Sequence, residues 1–284
     1  MAQIFTTPSS MRQWARQQHG QKRRVGLVPT MGALHLGHMA LVREAQRHAE
    51  RVVVSIFVNP LQFGPQEDLA RYPQTPEDDL KLLDEFGVDA VFMPSVEEMY
   101  PLGPSLTRVS LERLASVLCG KSRPGHFQGV ATVVAKLFHI VEPDTALFGQ
   151  KDWQQLVIIR RLVADLNFPV EIIGVPTVRE ANGLAISSRN RYLSPADTSR
   201  AASLYRALRG ALAAYQSGTR GREEIRRQVA DSLSLSGIEA EYVEVVDPRT
   251  LEPSPEMLSG QTLVAVAARV GKARLIDNIL LGQD

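Results

Sequence analysis

Between residues 25 and 175 the chain alternates short apolar runs with segments of helical period, and that alternation narrows the folds open to it. Val25–Val28, the β-branched run Arg51–Val58, Val88–Met93, Ala146–Phe148 and Val170–Val175 read as strands. Between them, Met39–Glu50 places its apolar positions on one helix face, and Gly129–Ile140 and Gln154–Leu166 are helical as well. Thr75-Pro-Glu-Asp78 reads as a capping box with Pro in the first turn, opening a helix to about Phe86. Strands that are apolar throughout leave no face for water, so the pattern implies a parallel sheet covered by helices on both sides. Ligands of such sheets bind beyond the strand C-termini. Pro29–His38, Asn59–Gly64 and Gly149–Trp153 are thereby expected on one rim.

After residue 178 the texture changes. Asn182–Arg191 is a polar loop, and Ser194-Pro-Ala-Asp197 is a second capping box that opens a long Ala-rich helix to about Tyr215. A basic helix spans Arg222–Leu233, and three strand-like runs close the chain: Glu241–Val246, Thr262–Ala268 and Ala273–Asn278. The expected class is therefore α/β: a Rossmann-like parallel-sheet domain over residues 1–178, and a smaller α+β domain over 179–284 packed on its rim as a lid. The basic stretches Lys22–Arg24 and Arg220–Arg227 read as solvated faces.

Composition removes several classes of function. A net charge of +1 is not that of a general polyanion binder, so no nucleic-acid partner is expected. The 44% hydrophobic and 22% charged content is that of an ordinary globular protein. No apolar run approaches the roughly 18 residues of a membrane span, and the first residues lack a basic-then-apolar export signal. Cys119 is the single cysteine, which excludes an internal disulfide and fits a reducing, cytoplasmic setting.

Four clusters carry chemistry. In Val25-Gly-Leu-Val-Pro-Thr-Met-Gly-Ala-Leu-His-Leu-Gly-His38 a strand turns through Pro29 and Gly32 and opens a helix. The first N–H groups of a helix lack partners and attract anions, and His35 and His38 sit at that end. Gly37 between them leaves room for close approach to a phosphate. Asn59-Pro-Leu-Gln62-Phe-Gly64, taken alone, is an Asn-Pro turn ending a strand, with Gln62 at the surface. Phe148-Gly-Gln-Lys-Asp-Trp-Gln-Gln155 is a strand end, a tight turn and a helix start, where Lys151 can act as a point charge on a phosphate. Asp152 either caps that helix or binds a nucleotide hydroxyl. Ile186-Ser-Ser-Arg-Asn190 offers two hydroxyls and a guanidinium, either as an ordinary linker or as a mobile clamp over a triphosphate. Asp78 and Asp79 read as a helix-capping, solvent-facing pair, with assistance to a metal ion as the other reading.

His-x-Gly-His after a strand resembles the signature of the HIGH-type adenylyl-transferring superfamily. Taken with the later motifs, the chain is similar to the pantoate–β-alanine ligase (pantothenate synthetase) family. The resemblance rests on Pro29–His38, Asn59–Phe63, Arg123-Pro-Gly-His-Phe127, Lys151–Gln155 and Ser187–Asn190, in that order. It implies ligation of pantoate and β-alanine in the coenzyme A pathway, through a pantoyl adenylate, with release of AMP and pyrophosphate. ATP is the implied co-substrate, with Mg2+ held mainly by its phosphates. The implied nucleotide contacts are Met31, Gly32, Ala33, Leu34, His35, Leu36, Gly37, His38, Gly149, Gln150, Lys151, Asp152, Val178, Ile186, Ser187, Ser188 and Arg189. His35, His38, Lys151, Ser187, Ser188 and Arg189 are the implied catalytic set, with His38 in the position assigned as proton donor. Gln62 and Gln155 are the implied pantoate contacts, Gln62 serving β-alanine too. No dedicated protein metal site is implied, and a homodimer through the N-terminal domain is. Two positions depart from the family pattern: Gln150 stands where Glu is usual, and Ile186 where Met is usual.

Two other readings compete. A nucleotidyltransferase with a phosphate-bearing acceptor would want more basic residues than the neutral Gln62 and Gln155 clusters offer. A catalytically silent nucleotide-binding protein would show damage among the phosphate-handling residues, and all of them are present.

Overall fold

In the computed structural model, which describes residues 2–65, 67, 69–103 and 105–282, the apolar runs become strands of one parallel sheet. Its elements are β1 (Gln3–Phe5), α1 (Pro8–Gly20), β2 (Val25–Thr30), α2 (Leu36–His48), β3 (Arg51–Ile56), α3 (Pro76–Glu85), β4 (Ala90–Phe92), α4 (Val96–Met99), α5 (Cys119–Ser122), α6 (His126–Val141), β5 (Thr145–Gly149), α7 (Trp153–Leu166) and β6 (Glu171–Val175). The strand order is β1-β4-β3-β2-β5-β6, every pairing is parallel, and β2 and β3 run in register from Val25 opposite Arg51 to Thr30 opposite Ile56. Residues of β2, β3 and β4 interlock with one face of α2 (Met39, Leu41, Val42, Ala45) and with Leu83 of α3 to form one core. The turns after β2, β3 and β5 leave the same end of three adjacent strands.

Several local expectations are corrected. β2 does not turn at Pro29; it continues to Thr30, with Pro29 opposite Ser55. Pairing with β5 covers only Gly26 and Leu27, so Pro29 lies where β3 is the sole neighbour, and a missing N–H is tolerated as at a sheet edge. The strand expected to reach Val58 stops at Ile56. Thr75 precedes α3 without capping it through its side chain, and its hydroxyl instead donates to Asp79 at 3.1 Å. β1 and α1 are additions to the expected elements. α1 begins on an N-cap, Thr7, with Pro8 in its first turn, and buries Met11, Trp14, Ala15 and Gln18 at helical spacing.

The chain divides into two compact units. The first gathers Met1–Ser116, Gly120–Gln150 and Ile158–Pro176; the second gathers Val117–Cys119, Lys151–Val157 and Thr177–Asp284. The chain enters the second unit for the last time at Thr177, and two short earlier segments group with that unit too. The second unit holds α8 (Pro195–Ala201), α9 (Ser203–Gln216), α10 (Arg222–Leu235), β7 (Ala240–Val246), β8 (Thr262–Val270) and β9 (Ala273–Leu281). The Ala-rich helix expected to be continuous is broken at Ala202 into α8 and α9. The strands form an antiparallel sheet in the order β7-β8-β9. α9 and α10 pack on each other and on β9 and β7, around Leu204, Leu208, Ile225, Val229, Val264 and Val266. Not all of the basic stretch is solvated: Arg220 and Arg222 turn inward to donate to backbone carbonyls of Tyr215 and Ser254. Among the described residues no helix is long and apolar enough to cross a membrane.

Candidate active site

The turn between β2 and α2 is held from outside itself. Gly32 (φ +81°) and Ala33 (φ +50°) both take left-handed backbone, which an alanine adopts only at a cost of about 1 kcal/mol or more. Asp79 on α3 offsets it: one carboxylate oxygen accepts from the Ala33 N–H at 2.9 Å, the other from the Leu34 N–H at 2.8 Å. Asp79 is only 2% exposed, so the solvent-facing reading holds for its neighbour Asp78 and fails for Asp79. A Cβ on Gly32 would lie 3.0 Å from the Asp79 carboxylate, so the acid and the glycine fit as a pair.

α2 then opens with His35 as its N-cap residue. The rings of His35 and His38 stack with centroids 4.0 Å apart and planes at 24°. The His35 backbone N–H donates to His38 Nδ1 at 3.3 Å, which places the ring hydrogen of neutral His38 on Nε2. A Cβ on Gly37 would lie 3.0 Å from the His35 ring. The His35 ring thus packs closely against the glycine of His-x-Gly-His, and a side chain there would press on the imidazole stack. Two imidazoles and the first N–H groups of a 13-residue helix converge here, a set of donors suited to an anion.

Beyond β3, Gln62 is buried, contrary to its surface reading. Its Nε2 donates to the Met31 thioether at 3.0 Å, so the amide meets the turn that leads to the histidines. Asn59 donates to Gln62 Oε1 at 3.2 Å and to the Gly129 carbonyl at 3.1 Å, and it accepts from the Tyr100 hydroxyl at 2.8 Å. Burial pushes the Tyr100 hydroxyl up to about 12, which keeps it a donor at neutral pH. His126 Nδ1 donates to the Gln62 carbonyl at 2.8 Å, and its Nε2 accepts from Arg123 at 2.9 Å. Arg123 in turn binds Glu67 through two hydrogen bonds of 2.7 and 2.6 Å. Burial raises the Glu67 carboxyl, but Arg123 outweighs it and holds the group below its ordinary range. Gly129 lets this turn rest on α6, since a Cβ there would lie 2.3 Å from the Leu61 carbonyl oxygen. A cavity of about 270 Å³ opens beside Met31, Ile56, Phe57, Thr75, Asp79 and Met93.

Gly149 ends β5, and Gln150 follows it in the first unit. Lys151, Asp152, Gln155, Val178, Ile186, Ser187, Ser188 and Arg189 belong to the second. There Lys151 Nζ lies 3.7 Å from the Asp152 carboxylate, and the Lys151 carbonyl accepts from Asn278 at 2.9 Å. Gln155 is half-buried in the first turn of α7. Residues 178–190 are hydrogen-bonded among themselves. Ile186 N–H donates to the Val178 carbonyl, Arg179 bridges to Ala185, and Asn190 donates to Glu180 and to the Ala185 carbonyl. Arg179 forms two hydrogen bonds of 2.7 and 2.9 Å to Asp277, which is 3% exposed, and stacks on Tyr205 with its guanidinium 3.6 Å from the ring centre. Ser187 Oγ accepts from the Arg189 N–H, starting a 3₁₀ turn over Ser188–Tyr192.

A family model described as Pantoate-beta-alanine ligase matches residues 3–280. The chain belongs to the pantoate–β-alanine ligase family. Pantothenate synthetases of Pelotomaculum thermopropionicum and Thermotoga petrophila are 50% and 52% identical over 281 and 280 residues, covering 99% and 98% of the chain and 99% of each relative. The crystal structure of pantothenate synthetase from Thermus thermophilus superposes with a TM-score of 0.92 at 48% identity over 98% of both chains. A pantoate–β-alanine ligase from Francisella tularensis, complexed with Beta-gamma ATP and β-alanine, superposes at 0.82 with 34% identity over 99% of this chain and 98% of that one.

In this member of the pantoate–β-alanine ligase family, Gln150 donates to the Gly174 carbonyl of β6 at 3.2 Å. An ionised Glu has no hydrogen to make that bond, which gives the departure from the family pattern a structural use. Sequence reasoning gave Asp79 a different role and missed Tyr100, Asp277 and Asn278. Each reaches its partner across the fold, 45 or 46 residues away for Asp79 and 127 for Asn278, and no local spacing announces such a contact.

Proposed function

We propose that this chain joins pantoate to β-alanine at the expense of ATP. The pantoate carboxylate attacks the α-phosphorus, the bond to the β-phosphate breaks, and pyrophosphate leaves with its electron pair. The β-alanine amine, having lost a proton, then attacks the acyl carbon of the adenylate, and AMP departs as the acyl–oxygen bond breaks. The observation that carries the reading is the His35–His38 stack beside Gly37 at the start of α2, with the Gln62 amide against Met31 on the turn that leads to it. That combination sets phosphate donors beside a neutral group able to orient a hydroxy acid.

His38 Nε2–H, the first N–H groups of α2 and the Lys151 ammonium are the groups assigned to the triphosphate. They act mainly by preorganised charge stabilisation, since phosphoryl transfer asks little covalent work of the protein. Ser187, Ser188 and Arg189 are assigned to the same phosphates from the hydrogen-bonded segment 178–190. The second unit is proposed as the lid that brings them and Lys151 to the nucleotide. Gln62 and Gln155 are assigned to pantoate, because a neutral amide orients a carboxylate without stabilising it in its ground state as a bidentate Arg would. Mg2+ is proposed to arrive as part of the nucleotide, held by phosphate oxygens. Among the described residues no three His, Cys, Asp or Glu converge into a cage for it, and both Asp79 oxygens already accept from backbone N–H groups. A cytoplasmic homodimer, joined through the first unit, completes the proposal, and light scattering at micromolar concentration checks the assembly.

The deciding experiment is product analysis with ATP, pantoate and β-alanine. AMP and pyrophosphate, formed only when pantoate is present, are expected; ADP and phosphate would replace the adenylate route with an acyl phosphate.

A further inference from the structure

Asn59 is 1% exposed, and every hydrogen-bonding position of its side chain is used. Two of its four partners are backbone groups of fixed polarity. The Leu61 N–H only donates and meets Oδ1 at 3.2 Å; the Gly129 carbonyl only accepts and meets Nδ2 at 3.1 Å. Those two contacts set which end of the amide is oxygen, and the Tyr100 hydroxyl adds a second donor to Oδ1 at 2.8 Å. The remaining N–H of Asn59 then faces Gln62 at 3.2 Å and can be met only by an oxygen. Gln62 Oε1 is thereby turned to Asn59, and its NH₂ lies on the opposite side of the amide against the Met31 thioether, a weak acceptor.

We propose that Asn59, backed by Tyr100, is a positioning residue that fixes the Gln62 amide with its N–H groups toward the ligand, so this position selects a carboxylate or hydroxyl oxygen and rejects an ammonium. The inference rests on the assignment of Gln62 to substrate binding. It specifies that Gln62 takes pantoate, or the carboxylate end of β-alanine, and never the amine that attacks the adenylate. The amine must be steered by other groups.

Calorimetric titration of the full chain with pantoate and, separately, with ATP tests this, alongside thermal unfolding of each variant. Tyr100→Phe is expected to weaken pantoate about tenfold, the scale of one buried hydrogen bond, with the ATP Kd held within twofold. Asn59→Asp keeps the shape and the Oδ1 acceptor but replaces the inward NH₂ by an oxygen. Gln62 must then turn its own NH₂ inward, and pantoate binding should fall further. The sharpest readout compares Gln62→Glu with Gln62→Ala. A Glu carboxylate still accepts from Asn59 while presenting an acceptor outward, so it should bind pantoate about tenfold more weakly than the alanine variant. Gln62→Glu binding pantoate as well as Gln62→Ala would overturn the orientation. Equal loss of pantoate and ATP in the Tyr100 and Asn59 variants would reduce them to general structural residues and overturn the proposal too. Should those two variants not fold, the Gln62 pair decides alone. Unchanged pantoate affinity in Gln62→Ala would mean that the assignment of Gln62 itself has failed, and the proposal with it.

Discussion

Asp79→Asn is the substitution that most directly tests how the nucleotide turn is built. Wild-type Asp79 offers one oxygen to the Ala33 N–H and one to the Leu34 N–H, at 2.9 and 2.8 Å, from a site 2% exposed to solvent. An asparagine has one oxygen, so whichever way its amide sits, an NH₂ group faces one of the two buried donors. A hydrogen bond to a charged group contributes roughly 1.5–3 kcal/mol, and a buried unsatisfied donor costs about 1–3 kcal/mol. The two descriptions overlap, so their sum overstates the effect, and a loss of about 2–4 kcal/mol is expected. Part of it falls on the turn alone, because either Ala33 at φ +50° or the adjoining Leu34 loses a contact that holds the left-handed conformation. The expected outcome is a lower denaturation midpoint in urea at unchanged m-value, with ATP affinity reduced more than pantoate affinity. A stability change under about 0.5 kcal/mol, the scale of an ordinary surface substitution, together with unaltered ATP binding would refute the reasoning.

Gly37→Ala should force the His35 and His38 rings apart, since the new Cβ falls 3.0 Å from the His35 ring, and slow adenylate formation by about tenfold or more; single-turnover pyrophosphate release at the wild-type rate would contradict it. His38→Ala and Lys151→Ala should each cost roughly 10²-fold in the same assay, the scale of losing one preorganised donor, and near-normal rates in either would remove that residue from the set. Gly129→Ala places a Cβ 2.3 Å from the Leu61 carbonyl oxygen; thermal unfolding should show a loss of about 1–3 kcal/mol, and pantoate affinity should fall with ATP affinity kept. Glu67 has a folded-state pKa below its unfolded value, so its pairing with Arg123 stabilises the fold above the ordinary Glu range and is lost as pH falls through the lowered value. Stability of Glu67→Gln followed from pH 7 into the acid range should therefore decline less steeply than wild type, and parallel curves would contradict it.

What the chain discloses in advance depends on how local each determinant is. Strands β2 to β6 and the longer helices α2, α3, α6 and α7 are legible because apolar period acts within a few positions, whereas the one-turn helices α4 and α5 are too short to show a period. The short edge strand β1 carries only three residues and pairs with β4 alone, so nothing in its own composition marks it. α1 is legible in principle, from Thr7-Pro8 and the spacing of Met11, Trp14, Ala15 and Gln18, but the stripe is short and interrupted by the polar Gln18. The break between α8 and α9 has no proline or glycine to announce it.

The candidate site divides along the same line, and the division bears on how such a site is kept rigid. Residues assigned to touch ligand are in short runs at strand ends, where spacing reveals them. Residues that hold those runs reach in from elsewhere: Asp79 from α3 to the turn after β2, Tyr100 from beyond α4 to Asn59, Asp277 and Asn278 from β9 to Arg179 and Lys151. A turn carrying left-handed residues and stacked imidazoles cannot be held by its own backbone bonds, because the strained conformers are the ones that local contacts do not favour. It must be fixed by side chains from other elements. For the reaction proposed here, those side chains must hold their polarity as well as their place. A carboxylate clamps two N–H groups where an amide clamps one, and an asparagine with all four hydrogen-bonding positions used can hand a defined donor to its neighbour where a freely rotating hydroxyl could not. The substitutions most informative about this enzyme are accordingly the isosteric ones, Asp79→Asn and Asn59→Asp, which leave shape intact and reverse a single donor or acceptor.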